Sequence, residues 1–243
     1  MLSQNEIIPG AAKKSLPMLD APITVRIKFC KIGNLQFISH LDLQRTFHRI
    51  LVRAGIPMWY TKGFNPHAKL VFGLPLSVGT ESMCEMADLR IERQISLESI
   101  KNQLNAQLTD EMYVLEAYYP STKFSDIAFA DYTITLNSPS ITEETEKEIN
   151  SLFSSPIIMS KKTKSGENDV DITTFIKKLG AVSEKGRLTI HATLAAGSEK
   201  NLNPEYIVTA IKNNLSCFSA DPNTDSYKIM RTCVYDQHMI EFK

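Results

Sequence analysis

Cysteine is scarce in this 243-residue chain, and its four cysteines stand far apart. Closed zinc sites and iron–sulfur clusters commonly take two ligands from a C-x-x-C pair, and no such pair occurs here. Isolated thiols are typical of free, buried cysteines in a reducing compartment. The pattern therefore predicts a cytoplasmic protein that binds no cofactor and no metal ion by itself. The four residues are Cys30, Cys84, Cys217 and Cys233.

Long apolar runs are also missing. No window approaches 18 uninterrupted apolar residues, which argues against a membrane span and against a membrane as partner. The first ten residues, M-L-S-Q-N-E-I-I-P-G, lack a basic stretch followed by an apolar core, so we expect no signal peptide. The chain has neither a G-x-x-x-x-G-K-[ST] loop nor a G-x-G-x-x-G turn, and nucleotide hydrolysis and dinucleotide binding are therefore disfavoured.

The chain has no net charge, because 27 acidic residues balance 27 basic ones, but the charge is unevenly placed. Residues 21–72 hold eight basic residues and a single acid, Asp42, so this segment carries +7 and the remainder −7. A sharply basic segment in a neutral protein indicates a local anionic ligand. The eight basic residues are Arg26, Lys28, Lys31, Arg45, Arg49, Arg53, Lys62 and Lys69.

An amphipathic helix is predicted at the centre of this segment. Ser39 and Asp42 have the spacing of a capping box at a helix start. Apolar residues then recur at helical spacing, and Gly55 followed by Pro57 supplies a stop. The apolar stripe consists of Leu43, Phe47, Ile50, Leu51 and Ala54.

The other face of this helix is basic. Arg45, Arg49 and Arg53 recur every fourth residue, although like charges at this spacing repel one another by about 0.2–0.5 kcal/mol per pair. One hypothesis is a surface for phosphates or another polyanion, and the other is a solvated face whose arginines pair with acids from elsewhere. The charge imbalance of the segment favours the first.

The element order predicts an α+β fold made of two tandem ferredoxin-like domains. Residues 21–120 follow the split order of strand, helix, strand, irregular arm, strand, helix and strand. Residues 132–243 repeat this plan more loosely and are more acidic; their run K-K-T-K-S-G-E-N-D is expected to be a polar loop. A flexible leader, residues 1–20, and a linker, residues 121–131, complete the chain.

The split order also predicts a site. Its first two strands are parallel, so the first helix begins at the end of the sheet where the second strand finishes. Ser39 and His40 are therefore expected beside Lys62, Asn65 and His67, in a pocket that suits an anion.

The histidines of this region leave several chemistries open. His40, His48 and His67 could bind a metal ion with nearby carboxylates, but their spacing matches no familiar ligand pattern. His40 and His67 could act as acid and base in RNA cleavage. Hydrogen bonding or phosphate contact is the favoured interpretation.

Aromatic residues are interleaved with the basic ones. Trp59, Tyr60 and Phe64 stand close to Lys62 in the sequence, an arrangement that suits the stacking of nucleobases. The alternative is that Trp59 and Tyr60 form the core and edge of a short strand.

Three runs carry a resemblance to a known family: F-I-S-H-L-D-L-Q-R-T-F-H-R-I-L-V-R-A-G-I-P, Y-T-K-G-F-N-P-H and G-L-P-L-S-V-G-T-E-S. They resemble the radical-SAM-linked domains of bacteria, which stand alone or follow a radical-SAM protein with a cobalamin-binding-like region. The likeness is dense over residues 23–120 and loose thereafter. The first run also resembles the start of the CRISPR repeat-RNA endonucleases, which have tandem ferredoxin-like domains, but their glycine-rich loop near the C-terminus is not evident here.

These observations give a leading hypothesis and two rivals. The leading hypothesis is an accessory protein, more a non-catalytic partner than an enzyme, that binds RNA such as tRNA and presents it to the radical-SAM enzyme that the resemblance implies. The rivals are an RNA endonuclease that uses His40 and His67, and a protein–protein adaptor. The candidate residues for binding RNA or another anion are Ser39, His40, Arg45, Arg49, Arg53, Lys62, Asn65, His67 and Lys69.

Overall fold

The computed structural model describes residues 16–163 and 166–243. Within these residues the chain is an α+β protein with ten β-strands, four α-helices and three short 3-10 helices. All strand pairs within each of its two units are antiparallel in the described part of the chain. No helix among the described residues is long and apolar enough to cross a membrane.

The chain divides into two compact units. The first comprises the residues up to Val78, Ser82–Thr122 and the terminal Lys243. The second comprises Gly79–Glu81 and Lys123–Phe242. The third strand therefore begins in the second unit and continues through the first.

The first unit forms a sheet with the order β4-β1-β3-β2 and carries two helices. Its elements are β1 (Met18–Lys31), α1 (His40–Arg53), β2 (Leu70–Phe72), β3 (Thr80–Arg93), α2 (Leu97–Asn105) and β4 (Val114–Tyr118). The edge strand is interrupted: Met58 makes one bridge to Ile91 of β3, and regular pairing with β3 begins again at Leu70, opposite Leu89. Residues 59–69, here called the excursion hairpin, leave the sheet between these two points.

Helix α1 packs its apolar stripe against this sheet, as the sequence predicts. Leu43, Phe47, Ile50 and Leu51 are buried in one core cluster with residues of β1 and β3. The ring of Phe47 lies 4.9 Å from that of Phe29 in β1 and 5.4 Å from that of Phe72 in β2, measured between ring centroids. Burying a side chain of this size contributes about 1.5–3 kcal/mol, so this contact fixes the rotation of α1 about its axis.

Both ends of α1 are closed by residues that the sequence indicates. Ser39 is the N-cap. At the other end Gly55 has a φ of +68°, and its N–H donates to the Val52 carbonyl at 3.1 Å. The N–H of Ile56 donates to the Leu51 carbonyl at 3.1 Å, which completes a Schellman motif.

The second unit has a sheet with the order β10-β5-β9-β8 and two helices. A separate hairpin, β6 with β7, forms a two-stranded sheet. The elements are β5 (Ile127–Asn137), α3 (Thr145–Phe153), β6 (Ile158–Thr163), β7 (Gly166–Asp171), β8 (Ile176–Glu184), β9 (Arg187–Ala195), α4 (Glu205–Asn214) and β10 (Ser226–Asp236).

The predicted leader is too long. Residues 1–15 lie outside the described residues, but β1 already begins at Met18, inside the expected leader of residues 1–20. Met18 lies opposite Arg93 of β3, and the Arg93 guanidinium donates to the Leu16 carbonyl at 2.8 Å. Pairing with a strand distant in sequence therefore orders residues that local composition marks as flexible.

Two predicted irregular segments contain strand. Residues 127–131 of the expected linker belong to β5, where Phe129 lies opposite Ala195 of β9. The run K-K-T-K-S-G-E-N-D, expected to be a polar loop, supplies parts of β6 and β7. In both segments the cross-strand partners, rather than the local composition, decide the structure.

The left-handed conformation at the end of α1 generates a testable expectation. Gly55→Ala places a Cβ in this conformation and should lower the free energy of unfolding by about 1 kcal/mol. The measurement is urea denaturation followed by circular dichroism. Gly180→Ala in β8 is the control, because Gly180 has no positive φ and a Cβ there meets no atom within 4 Å. Equal loss of stability in both variants would contradict the assignment of the motif.

Candidate functional site

The exposed face of α1 carries the arginine row. Arg45, Arg49 and Arg53 are all exposed. Arg45 contacts the Asp42 carboxylate at 3.3 Å, one turn away on the same helix. Within residues 16–163 and 166–243, Arg49 and Arg53 have no ion-pair partner. The solvated-face hypothesis therefore accounts for Arg45 but supplies no acid to the other two.

Two of the eight basic residues are structural instead. Arg26 is fully buried, and its guanidinium donates to both carboxylate oxygens of Asp88 at 2.7 and 3.0 Å and to the Thr122 hydroxyl at 3.0 Å. Lys31 is also buried, and its ammonium group donates to backbone carbonyls, including that of Leu35 at 3.3 Å. The surface charge of the segment is thus smaller than the +7 counted from its sequence.

Ser39 acts as a cap. Its hydroxyl accepts the Asp42 N–H at 3.2 Å and donates to the Asp42 carboxylate at 2.7 Å. This hydroxyl is the main cause of the lowered pKa of Asp42, and Arg45 adds to the effect. His40 begins the helix, with its Nε2 atom 2.9 Å from the Gln44 side-chain nitrogen and its ring 5.4 Å from the Phe72 ring.

The excursion hairpin is attached to the sheet through one residue of β3. The Arg90 carbonyl accepts the Trp59 N–H at 2.7 Å, and the Arg90 N–H donates to the Lys69 carbonyl at 3.1 Å. Both stems of the hairpin are thereby fixed beside the second half of α1. Its polar residues Lys62, Asn65, His67 and Lys69 are exposed, and so is the whole side chain of Phe64 at its tip.

The space between this hairpin and α1 is a cleft of about 230 Å³, here called the histidine cleft. His48 and Val52 line it from α1, and Tyr60 and His67 line it from the hairpin. Its other lining residues are the buried side chains of Leu51, Ile56, Met58 and Ala68.

Among the described residues, no hydrogen bond, ion pair or ring contact joins Ser39 or His40 to Lys62, Asn65 or His67, the grouping that the sequence predicts. His67 shares the cleft with His48, which lies about 12 Å along the helix axis from His40. The reason is the interruption of the edge strand: the chain leaves the sheet after Met58, and Phe72 occupies the place beside His40. His40 and His67 therefore make no hydrogen bond or ring contact with each other, and their action as acid and base stays a prediction.

His48 is the member of the site that sequence reasoning missed. The sequence indicates it only as a possible metal ligand. The sequence holds one indication, because Val52 is an apolar residue outside the predicted stripe. In the structure its side chain is 62% exposed. An apolar residue one turn after a histidine can form the wall of a cleft. The opposite wall, however, is the excursion hairpin, and only the fold brings that hairpin close to the helix.

The environment of His48 keeps its imidazole neutral. Burial is the main cause of its lowered pKa, and the positive charge that His67 can carry lowers it further. His67 is held by its own loop, because its Nδ1 atom lies 3.1 Å from the Thr61 hydroxyl and 3.3 Å from the Asn65 carbonyl. Both contacts involve Nδ1, so they orient the ring and leave Nε2 without a hydrogen-bond partner among the described residues.

The described residues contain no group of three His, Cys, Asp or Glu side chains placed to hold a metal ion. The cleft contributes two imidazoles and an apolar floor, with arginines beside it. Such an arrangement can accept hydrogen bonds, cover a flat apolar group and attract an anion.

Fold and site together define a mixed α+β protein with a basic helix beside a histidine cleft. The model of a family described as "Uncharacterized protein conserved in bacteria (DUF2344)" matches residues 24–204, and the chain belongs to this family. No curated protein matches the chain. A crystal structure of an unknown protein from Galdieria sulphuraria is similar at 8% identity and a TM-score of 0.26, covering 87% of this chain and 99% of that chain. A likeness this weak carries no argument about fold or function.

The two causes of the lowered His48 pKa can be separated. His67→Gln removes a positive charge and should raise the pKa of His48, which nevertheless stays below its ordinary value of 6.5 because burial persists. NMR titration of the histidine ring protons measures this shift. His191→Gln, an exposed histidine of the second unit, is the control and should leave the pKa of His48 unchanged.

The same pKa predicts the pH dependence of stability. The unfolded chain takes up the His48 proton at a higher pH than the folded chain, so stability should fall as the pH drops below about 6.5. His67→Gln should make this decrease smaller. Thermal unfolding across this pH range tests it, and an identical slope in the wild type and His67→Gln would contradict the coupling of the two histidines.

Proposed function

We propose that this chain is a cytoplasmic accessory protein that binds RNA, with tRNA as the first candidate, and presents it to a radical-SAM enzyme. The observation that carries the RNA-binding part is the exposed pair Arg49 and Arg53 beside the exposed lysines of the excursion hairpin. Arginine suits this role because its planar guanidinium matches the geometry of a phosphate. The proposed phosphate contacts are Arg45, Arg49, Arg53, Lys62 and Lys69.

The placement of these cations supports a polyanion over a small anion. They lie on two elements, α1 and the excursion hairpin, with the histidine cleft between them. An extended backbone of phosphates suits cations that are spread over two elements. Neutralising several phosphates supplies most of the affinity in such complexes and makes binding salt-dependent.

The partner enzyme in this proposal rests on the resemblance of the S-H-L-D and G-F-N-P-H runs to radical-SAM-linked domains. We place the radical chemistry and its cofactor in that partner, so this chain contributes recognition alone. An RNA endonuclease and a protein adaptor are the competing outcomes of the test below.

We also infer a tandem ferredoxin-like architecture. In each unit the sheet order places the last strand beside the first, then the third, then the second: β4-β1-β3-β2 and β10-β5-β9-β8. A helix follows the first strand and another follows the third in both units. This order of elements is that of the split β-α-β fold, and the β6–β7 hairpin is then an insertion.

RNA binding is tested by fluorescence anisotropy with labelled tRNA across a salt series. The wild type should lose affinity steeply as salt rises. Arg45→Glu/Arg49→Glu/Arg53→Glu should bind more weakly, and its slope of log affinity against log salt should be flatter by about 2, as expected for the loss of three phosphate contacts.

The matched control is Lys178→Glu/Lys185→Glu/Lys212→Glu, which makes the same change in net charge at exposed positions of the second unit. It should bind nearly as well as the wild type. An equal loss of tRNA affinity in both triple variants would show that net charge alone causes the effect, and it would contradict the proposed binding surface. Shortened RNA after incubation would favour the nuclease, and capture of a radical-SAM protein without RNA affinity would favour the adaptor.

A further inference from the structure

The histidine cleft continues into a second, shallower depression on α1. Thr46, His48, Arg49, Val52 and Arg53 line this depression. His48 and Val52 belong to both, so the apolar cleft and the two unpaired arginines form one continuous surface. A ligand that fits both parts has a flat, mostly apolar group joined to an anionic group.

The cleft itself is selective about that flat group. Its deepest lining, Leu51, Ile56 and Met58, is buried and apolar, so a charged or strongly hydrated group would lose its water there without compensation. The polar atoms are at the walls, on the imidazoles of His48 and His67. A planar heteroaromatic ring with hydrogen-bonding edges satisfies both conditions.

We propose that the histidine cleft holds one unpaired nucleobase of an RNA strand while Arg49 and Arg53 bind the adjoining phosphates. This inference rests on the proposed RNA-binding function and specifies its recognition element. Arg49 and Arg53 are one helical turn apart, about 6 Å along the axis, which suits successive phosphates of a single strand. Tyr60, which is 38% exposed, supplies an aromatic wall for stacking.

The geometry selects an unpaired nucleotide. In a duplex the flat faces of the bases are covered by their stacked neighbours, whereas loops, bulges and ends can offer a base that is splayed out. The Nε2 atom of His67 has no hydrogen-bond partner among the described residues, and an imidazole nitrogen can donate or accept according to its tautomer, so it suits a polar atom on the edge of the base.

The decisive measurement is NMR of the histidine ring signals during titration with a short single-stranded RNA. The signals of His48 and His67 should shift, while that of His191 in the second unit should not. RNA that binds with the arginine-dependent salt slope but leaves His48 and His67 unshifted would overturn the cleft proposal and leave the proposed function intact. Absence of any RNA binding by the wild type would overturn both.

Variants test the stacking wall. Tyr60→Ala should weaken binding of single-stranded RNA about tenfold, and Tyr60→Phe should restore it. Phe37→Ala is the matched control, since Phe37 is an exposed aromatic residue of the same unit outside the cleft. Equal affinities of Tyr60→Ala and the wild type, with thermal midpoints that agree, would contradict the proposal.

Two further ligands test whether the cleft binds a base of a single strand, a base of a duplex or a free nucleotide. A fully paired RNA duplex should bind without shifting the cleft signals. Adenosine 5′-monophosphate should shift them only at concentrations far above those needed for the strand, because it lacks the neighbouring phosphates. Binding of the mononucleotide as tightly as the strand would overturn the proposal in favour of a free-nucleotide site.

Discussion

The packing of Phe47 between Phe29 and Phe72 is the contact on which the candidate surface depends. It fixes the rotation of α1, because the ring of Phe47 meets β1 on one side and β2 on the other. The same contact holds Phe72, the last residue of β2, which is the short strand that follows the excursion hairpin. With the helix and hairpin both held, His48 and Val52 line one side of the histidine cleft, and Tyr60 and His67 line the other.

The basic residues of the first unit fall into two groups: some are buried and paired within the fold, and others are exposed on the surface. Arg26 is buried with Asp88, and removing one partner of such a pair typically costs about 3–5 kcal/mol because the other charge is left unpaired. Arg49 and Arg53 are exposed and lack a partner among the described residues, so they contribute little to the fold. Because the fold does not use these two positive charges, they are available to bind an anionic ligand.

The family is described only as uncharacterized, so a functional proposal for this chain depends on the chemistry of its site. The cleft combines a neutral imidazole, a second imidazole held by its loop and an apolar floor, next to guanidinium groups. Each of these features suits the binding of a ligand. These features are the support for the recognition role proposed above.

The sequence by itself determined the local structure of α1: its cap at Ser39, its buried stripe and its end at Gly55 all follow from spacing within one helix. It also determined the basic face, because residues four apart lie on one side of a helix. Only the tertiary structure decided that His67 meets His48 rather than His40, and that Arg26 and Lys31 are buried. These outcomes depend on pairing with residues distant in the chain, such as Arg90 and Asp88, and local periodicity holds no information about such partners.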